Sequence, residues 1–174
     1  MTTMGAAKTA YRTMLREAIA PALRNEGLKG SGQAYEVRGD RHVGRVTFEA
    51  SARNTADRVR FRVFLSVEPR ASQSPMVPSR SPDIWDVPLA RLIPSRPAFE
   101  WWLLRDGDTS ESPPGMVHLS TGERLTSPGS VWASGSYDSS DPAAVAADVL
   151  AALKQWGLPA LRHELARREG TDPK

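Results

Sequence analysis

The sequence predicts an α+β fold, with an antiparallel β-meander sheet packed by an N-terminal helix and C-terminal helices. Three observations carry that expectation. Apolar residues recur at intervals of three and four near both ends of the chain, over residues 5–26 and 141–165. Between residues 33 and 68 the period switches to two. Short polar turns separate the alternating runs, and consecutive strands joined in that way pair antiparallel.

Tyr11, Met14, Leu15, Ala18, Ile19, Ala22 and Leu23 form the apolar stripe of the first helix, with Arg12, Arg16, Glu17 and Arg24 off it. Pro21 lies inside this pattern, where a missing N–H and a ring clash cost about 3 kcal/mol, so a kink or a restart is expected near Ala20. Gly27 then ends the helix, because a residue without Cβ turns left-handed freely.

"QAYEVRG" reads as a short strand and "HVGRVTFEAS" as a second, with Val46, Phe48 and Ala50 on one face. After the polar turn "ARNTAD", "DRVRFRVFLSV" is the third. Here Val59, Phe61, Val63 and Leu65 alternate with Arg58, Arg60 and Arg62, a greasy side backed by guanidinium groups at intervals of about 7 Å. Residues 69–98 hold half of the 14 prolines and read as a connector with one helical turn at Leu89 to Leu92. "FEWWLLR" is a strand apolar on both faces, so a second layer must cover it. "MVHLS" and "SVWASGSYD" are weaker strand candidates. Asp141 is an N-cap with Pro142 at the first helical position. Val145, Val149, Leu150, Leu153 and Trp156 form the next stripe, Gly157 is expected to end it, and Leu158, Leu161 and Leu165 face inward from a final helix.

With 174 residues, the chain is expected to form a single domain, residues 1–174, able to bury roughly 70% of its unfolded surface without a disulfide or metal. The absence of cysteine excludes disulfide frameworks, zinc–thiolate sites and thiol nucleophiles, and fits a reducing compartment. No signal-like apolar core and no membrane-length run occurs, which makes a cytoplasmic location, away from membranes, the expectation. The net charge is +3, and arginine supplies most of the 23 basic residues. Glu36, Asp40, Glu49 and Asp57 interrupt the basic region, which argues against nucleic acid as partner.

Four blocks carry a resemblance to a known family. They are "LRNEGLKGSGQAYEVRG", "VTFEASARNTADRVRFRVFLSV", "WDVPLARLIPSRPAFEWWLL" and "LKQWGLPALRHEL", in order over most of residues 11–165. In this order they resemble the bacterial domain-of-unknown-function family 4304. The resemblance implies an α+β fold and no activity. Glu49 and Ala50 stand before Ser51 where such proteins tend to have Gln and Lys, and Pro88, Leu89 and Ala90 replace a tendency to Arg-Leu-Gly. A shared site at those polar positions would be absent from this copy.

No catalytic constellation emerges. His42, His118 and His163 lack a second histidine or carboxylate at metal-ligand spacing, so no metal is assigned. Nucleophile-elbow, phosphate-loop and dinucleotide motifs are absent, which leaves no cofactor to assign. "DGDTSE" lacks the glycine and glutamate of a calcium loop and reads as a turn. The remaining candidate is a surface. Arg58, Arg60 and Arg62, joined by Arg38, Arg45, Arg53 and Ser51, form a face able to bind carboxylates or phosphates bidentately. Trp85, Trp101 and Trp102 are candidate groove aromatics. The function expected is a non-catalytic binding or protein-interaction domain, of which immunity proteins are one class. A small-anion or nucleotide-binding domain, an unrecognised enzyme included, is the alternative, and weak nucleic-acid binding ranks third.

Overall fold

The computed structural model describes residues 5–70, 84–94, 101–105, 131–132 and 136–171. Among them the side chains of 101, 131, 132 and 136–138 are not described. The "MVHLS" strand, the "DGDTSE" turn, His118, Glu100 and most of the proline-rich connector lie outside these residues.

Helix α1 (Ala6–Met14) passes into a π turn, Leu15–Ile19, and then into α2 (Ala20–Asn25). The physical cause is Pro21. Its ring would strike the carbonyl four residues back and it has no N–H to give, so the backbone widens before it. The Ala20 N–H reaches back five residues to the Leu15 carbonyl. The expected disturbance near Ala20 is therefore one wide turn without loss of helical direction. Gly27, at φ 87°, closes α2: its N–H bonds Arg24 O and the Leu28 N–H bonds Leu23 O.

The C-terminal helices repeat the device. Asp141 Oδ1 accepts the Ala143 N–H at 2.9 Å and starts α3 (Pro142–Ala152). A π turn, Leu153–Gly157, follows, and α4 (Leu158–Glu169) continues. The expected stop at Gly157 does not occur. Gly157 has φ −70° and lies inside the helix, while Pro159 provokes the wide turn, with the Leu158 N–H on the Leu153 carbonyl. The segments "LREAIAPALR" (15–24) and "LKQWGLPALR" (153–162) thus share both sequence pattern and backbone. In each, the last arginine caps a carbonyl: Arg24 that of Gly30 and Arg162 that of Glu26.

A side chain at Gly157 would crowd its neighbours. A Cβ there would meet Leu89 Cδ1 at 2.8 Å and Leu153 Cδ2 at 3.1 Å. Gly157→Ala is expected to cost about 1 kcal/mol, the lower end of overpacking, since flexible leucine ends can yield. A urea midpoint unchanged from wild type would refute the contact.

The strands are β1 (Lys29–Ser31), β2 (Ala34–Arg38), β3 (His42–Ala50), β4 (Arg58–Pro69), β5 (Trp85–Pro88), β6 (Trp101–Arg105), β7 (Val131–Trp132) and β8 (Ser136–Ser139). Their order in the sheet is β1-β2-β3-β4-β6-β8-β7, with β5 also on β4. The meander β1 to β4 and its neighbours β5 and β6 pair antiparallel. β8 adds parallel to β6, a pairing the alternation alone did not predict, because a long connection separates the two strands. β1 and β5 are also additions to the sequence reading. β5 carries Pro88 at its end, where an edge strand tolerates a missing donor. The 3₁₀ turn Leu89–Leu92 falls where one helical turn was expected.

The helices α1, α3 and α4 lie on one face of the sheet. α4 packs on β3 and β4, α1 on β4 and β6, and α3 on β6 and β8. Val59, Phe61, Val63, Leu65 and Val67 of β4 are at most 1% exposed beneath them. Tyr11 and Trp102 flank Phe61, at ring distances of 5.0 and 6.0 Å.

Candidate binding face of the sheet

Strand alternation puts the other half of β4 on the face turned away from the helices. Arg58, Arg60, Arg62, Phe64, Ser66 and Glu68 share it. The register then decides what each one faces. Arg62 lies opposite Glu49, Arg60 opposite Leu103, and Arg58 opposite Arg105. Arg58 is exposed, whereas Arg60, Arg62 and Arg105 are half-buried. The Arg62 guanidinium also sits 5.4 Å from the Phe64 ring centroid.

The face divides along β4. Toward Glu68 its charges neutralise one another: Arg38 pairs with Glu36 at 2.6 Å, and Arg45 pairs with Glu36 at 3.8 Å and with Glu68. The candidate residues Arg38 and Arg45 therefore belong to a ladder across β2, β3 and β4. Toward Arg58, among the described residues, Arg58, Arg60, Arg62 and Arg105 lie together, with Glu49 in register with Arg62. Two guanidiniums directly opposite each other repel, and an anion shared between them relieves the repulsion. Arg105 was not among the residues the sequence singled out. Its strand is legible, but its place beside Arg58 depends on a pairing across a long connector.

The remaining candidates separate from this cluster. Ser51 and Arg53 sit on the turn joining β3 to β4, where Ser51 Oγ accepts the Arg53 N–H at 3.2 Å. Asn54 fixes that turn by exchanging two hydrogen bonds with the Arg60 backbone, at 2.7 and 3.0 Å. Trp102 is a core residue, fully buried, its indole N–H donating to Asp148 Oδ2 at 3.0 Å. It borders no groove. Trp85 is half-buried and packs toward the core side, and the side chain of Trp101 lies outside the described residues. Glu49 and Ala50 are exposed, while Pro88 lies half-buried in β5 beside Phe64.

One polar constellation had no sequence signal. Glu169, in the last turn of α4, accepts the His42 N–H at 2.7 Å, the Arg41 N–H at 3.0 Å and the His42 ring Nδ1 at 3.1 Å. Desolvation pushes this carboxyl up, but the backbone donors and the His42 ring outweigh it and hold it below its ordinary range. Arg41 returns the contact by donating to Arg168 O and Glu169 O. The arrangement ties the end of α4 to the β2–β3 turn. Glu169→Ala is expected to speed amide exchange at Arg41 and His42 by at least tenfold while leaving β4 amides unchanged; equal rates in both proteins would deny the tie.

Among the described residues no group of three or more His, Cys, Asp or Glu could hold a metal ion, and no helix is long and apolar enough to cross a membrane. Comparison with family models, with curated proteins and with solved structures finds no match.

Proposed function

We propose that this chain is a cytoplasmic, non-catalytic interaction domain of the immunity-like class, whose arginine-bearing sheet face docks an acidic surface on a protein partner. The observation that supports it most is the convergence of Arg58, Arg60, Arg62 and Arg105 on the face of the sheet turned away from the described helices. Guanidinium forks recognise carboxylates bidentately, and a basic patch speeds encounter with an acidic surface. A small anion seated between Arg58 and Arg105 is the second reading, favoured by their direct opposition in register.

Arg58→Glu separates folding from binding. Arg58 is exposed, so the change is expected to alter stability by no more than about 0.5 kcal/mol. The same change should lower capture of a stoichiometric partner from native lysate by roughly tenfold or more. Undiminished capture by the stable variant would reject the arginine face. A thermal-shift series separates the readings, since a small anion at 100 times its Kd adds about 2.7 kcal/mol. Silence across phosphates, nucleotides and acidic metabolites would leave the protein partner alone.

A further inference from the structure

The β1 edge of the sheet carries an inference independent of the cluster around Arg58. A cavity of about 340 Å³ opens there beside the β1–β2 hairpin, and its lining includes Lys29, Ser31, Ala34, Glu36 and Arg45. That volume lies at the small end of the range for small-molecule pockets, roughly 300–1,000 Å³. Strand register explains why these side chains meet. Lys29 pairs with Glu36 and Glu36 with Arg45, so the three form one row across β1, β2 and β3. Ser31 and Ala34 pair two residues further along, on the same face. Tyr35 and Val46 alternate with them and are at most 1% exposed under the helices, so the row lies on the face turned away from the described helices. The hairpin itself is built around a glycine. Gly30 has φ 143°, and a Cβ there would overlap Ala34 O and lie 2.8 Å from Tyr35 Cα, an approach of β1 to β2 that glycine alone permits.

Charge defines what the cavity lacks. Arg38 pairs with Glu36 at 2.6 Å, and Arg45 pairs with Glu68. The second oxygen of Glu36 is 3.8 Å from Arg45 Nε. Lys29 is the cation left over, since among the described residues it enters no ion pair. Lys29, Arg38 and Arg45 stand against Glu36 and Glu68, so one positive charge at the cavity is unmatched. An ammonium group offers three donors and a serine hydroxyl one more. Hydrogen bonds from such a cation to an oxyanion are roughly twice as strong as neutral ones.

We infer that this cavity binds the oxyanion head of a small metabolite, a carboxylate or a phosphate, on the Lys29 ammonium and the Ser31 hydroxyl. The bound anion supplies the acid that the row across β1, β2 and β3 is missing. Arg38 and Arg45 remain on Glu36 and Glu68 and hold those carboxylates neutralised beside the guest.

Amide-shift titrations of the full chain with inorganic phosphate and, separately, with acetate test this, each at an ionic strength held constant with chloride. Saturating shifts are expected at the amides of Lys29 to Glu36, and the arm that saturates identifies the head group. Lys29→Gln should weaken that binding by roughly tenfold. Lys29→Arg should restore most of it, because the charge is kept. Lys8→Gln removes an exposed charge from α1 instead and should leave the affinity unchanged, as should Arg58→Glu. Shifts that fail to saturate in either arm would overturn the site. Binding undiminished in Lys29→Gln would overturn it too, as would an equal loss in Lys8→Gln or Arg58→Glu.

Discussion

Trp102→Ala is expected to lower the free energy of unfolding by about 3–5 kcal/mol, the range for deleting a large buried aromatic. Three effects coincide at this position. The indole is fully buried, it stacks on Phe61 with a 19° interplanar angle, and its N–H satisfies the Asp148 carboxylate at 3.0 Å. The alanine leaves a cavity at the junction of β4, β6 and α3, because the surrounding rings relax only in part. Trp102→Phe separates the components: it retains most of the stack and loses the hydrogen bond, and about 1–2 kcal/mol of destabilisation is expected. Urea unfolding of the two variants checks both values. Equal losses would show that the polar contact, and not the packing, dominates.

Glu164→Gln is expected to cost about 1.5–3 kcal/mol at neutral pH, with a loss that depends on pH. Glu164 is only 8% exposed, and its carboxylate accepts from Arg167 Nε and Nη2 at 2.8 and 2.7 Å and from Arg168 Nε at 2.6 Å. The bonds from Arg167 lower its pKa most; desolvation opposes them, and Arg168 adds to the lowering, to about 2. Arg167 is 55% exposed, so solvent screens its share, and Arg168, at 16%, supplies the better-protected half. A depressed folded-state pKa stabilises above the ordinary carboxyl range, and that stabilisation is lost as pH falls through about 2. The gap between wild type and variant should therefore narrow steadily from pH 5 downward. A gap that stayed constant in urea titrations at pH 7 and pH 3 would assign the loss to packing instead.

Legibility in the sequence followed the range of the interactions involved. The stripe from Tyr11 to Leu23, the N-cap at Asp141, the αL glycine at position 27 and the alternation of β4 are local, and each could be read from a few neighbouring residues. Pro21 announced a disturbance, but its form as a π turn needed the buried stripe on both sides to keep the helix in line. Gly157 was misleading for a related reason. Local propensity reads glycine as a stop, whereas the requirement here is space beside Leu89, a residue brought in from the connector. At the candidate site, Arg58, Arg60 and Arg62 were visible from their period, while Arg105 was not.

From its sequence alone this protein determined its main helices, the strands β2 to β4, and the separation of arginines from core on β4, because periodicity couples directly to backbone geometry. Only the tertiary structure decided which charges meet. Arg45 falls between Glu36 and Glu68, Arg58 falls against Arg105, and Glu169 caps a turn 127 residues away, contacts made by strand register and helix docking. Charge pairing reaches only a few ångströms, and register is set by the buried apolar face, so the partners on the polar face are a consequence of packing on the other side.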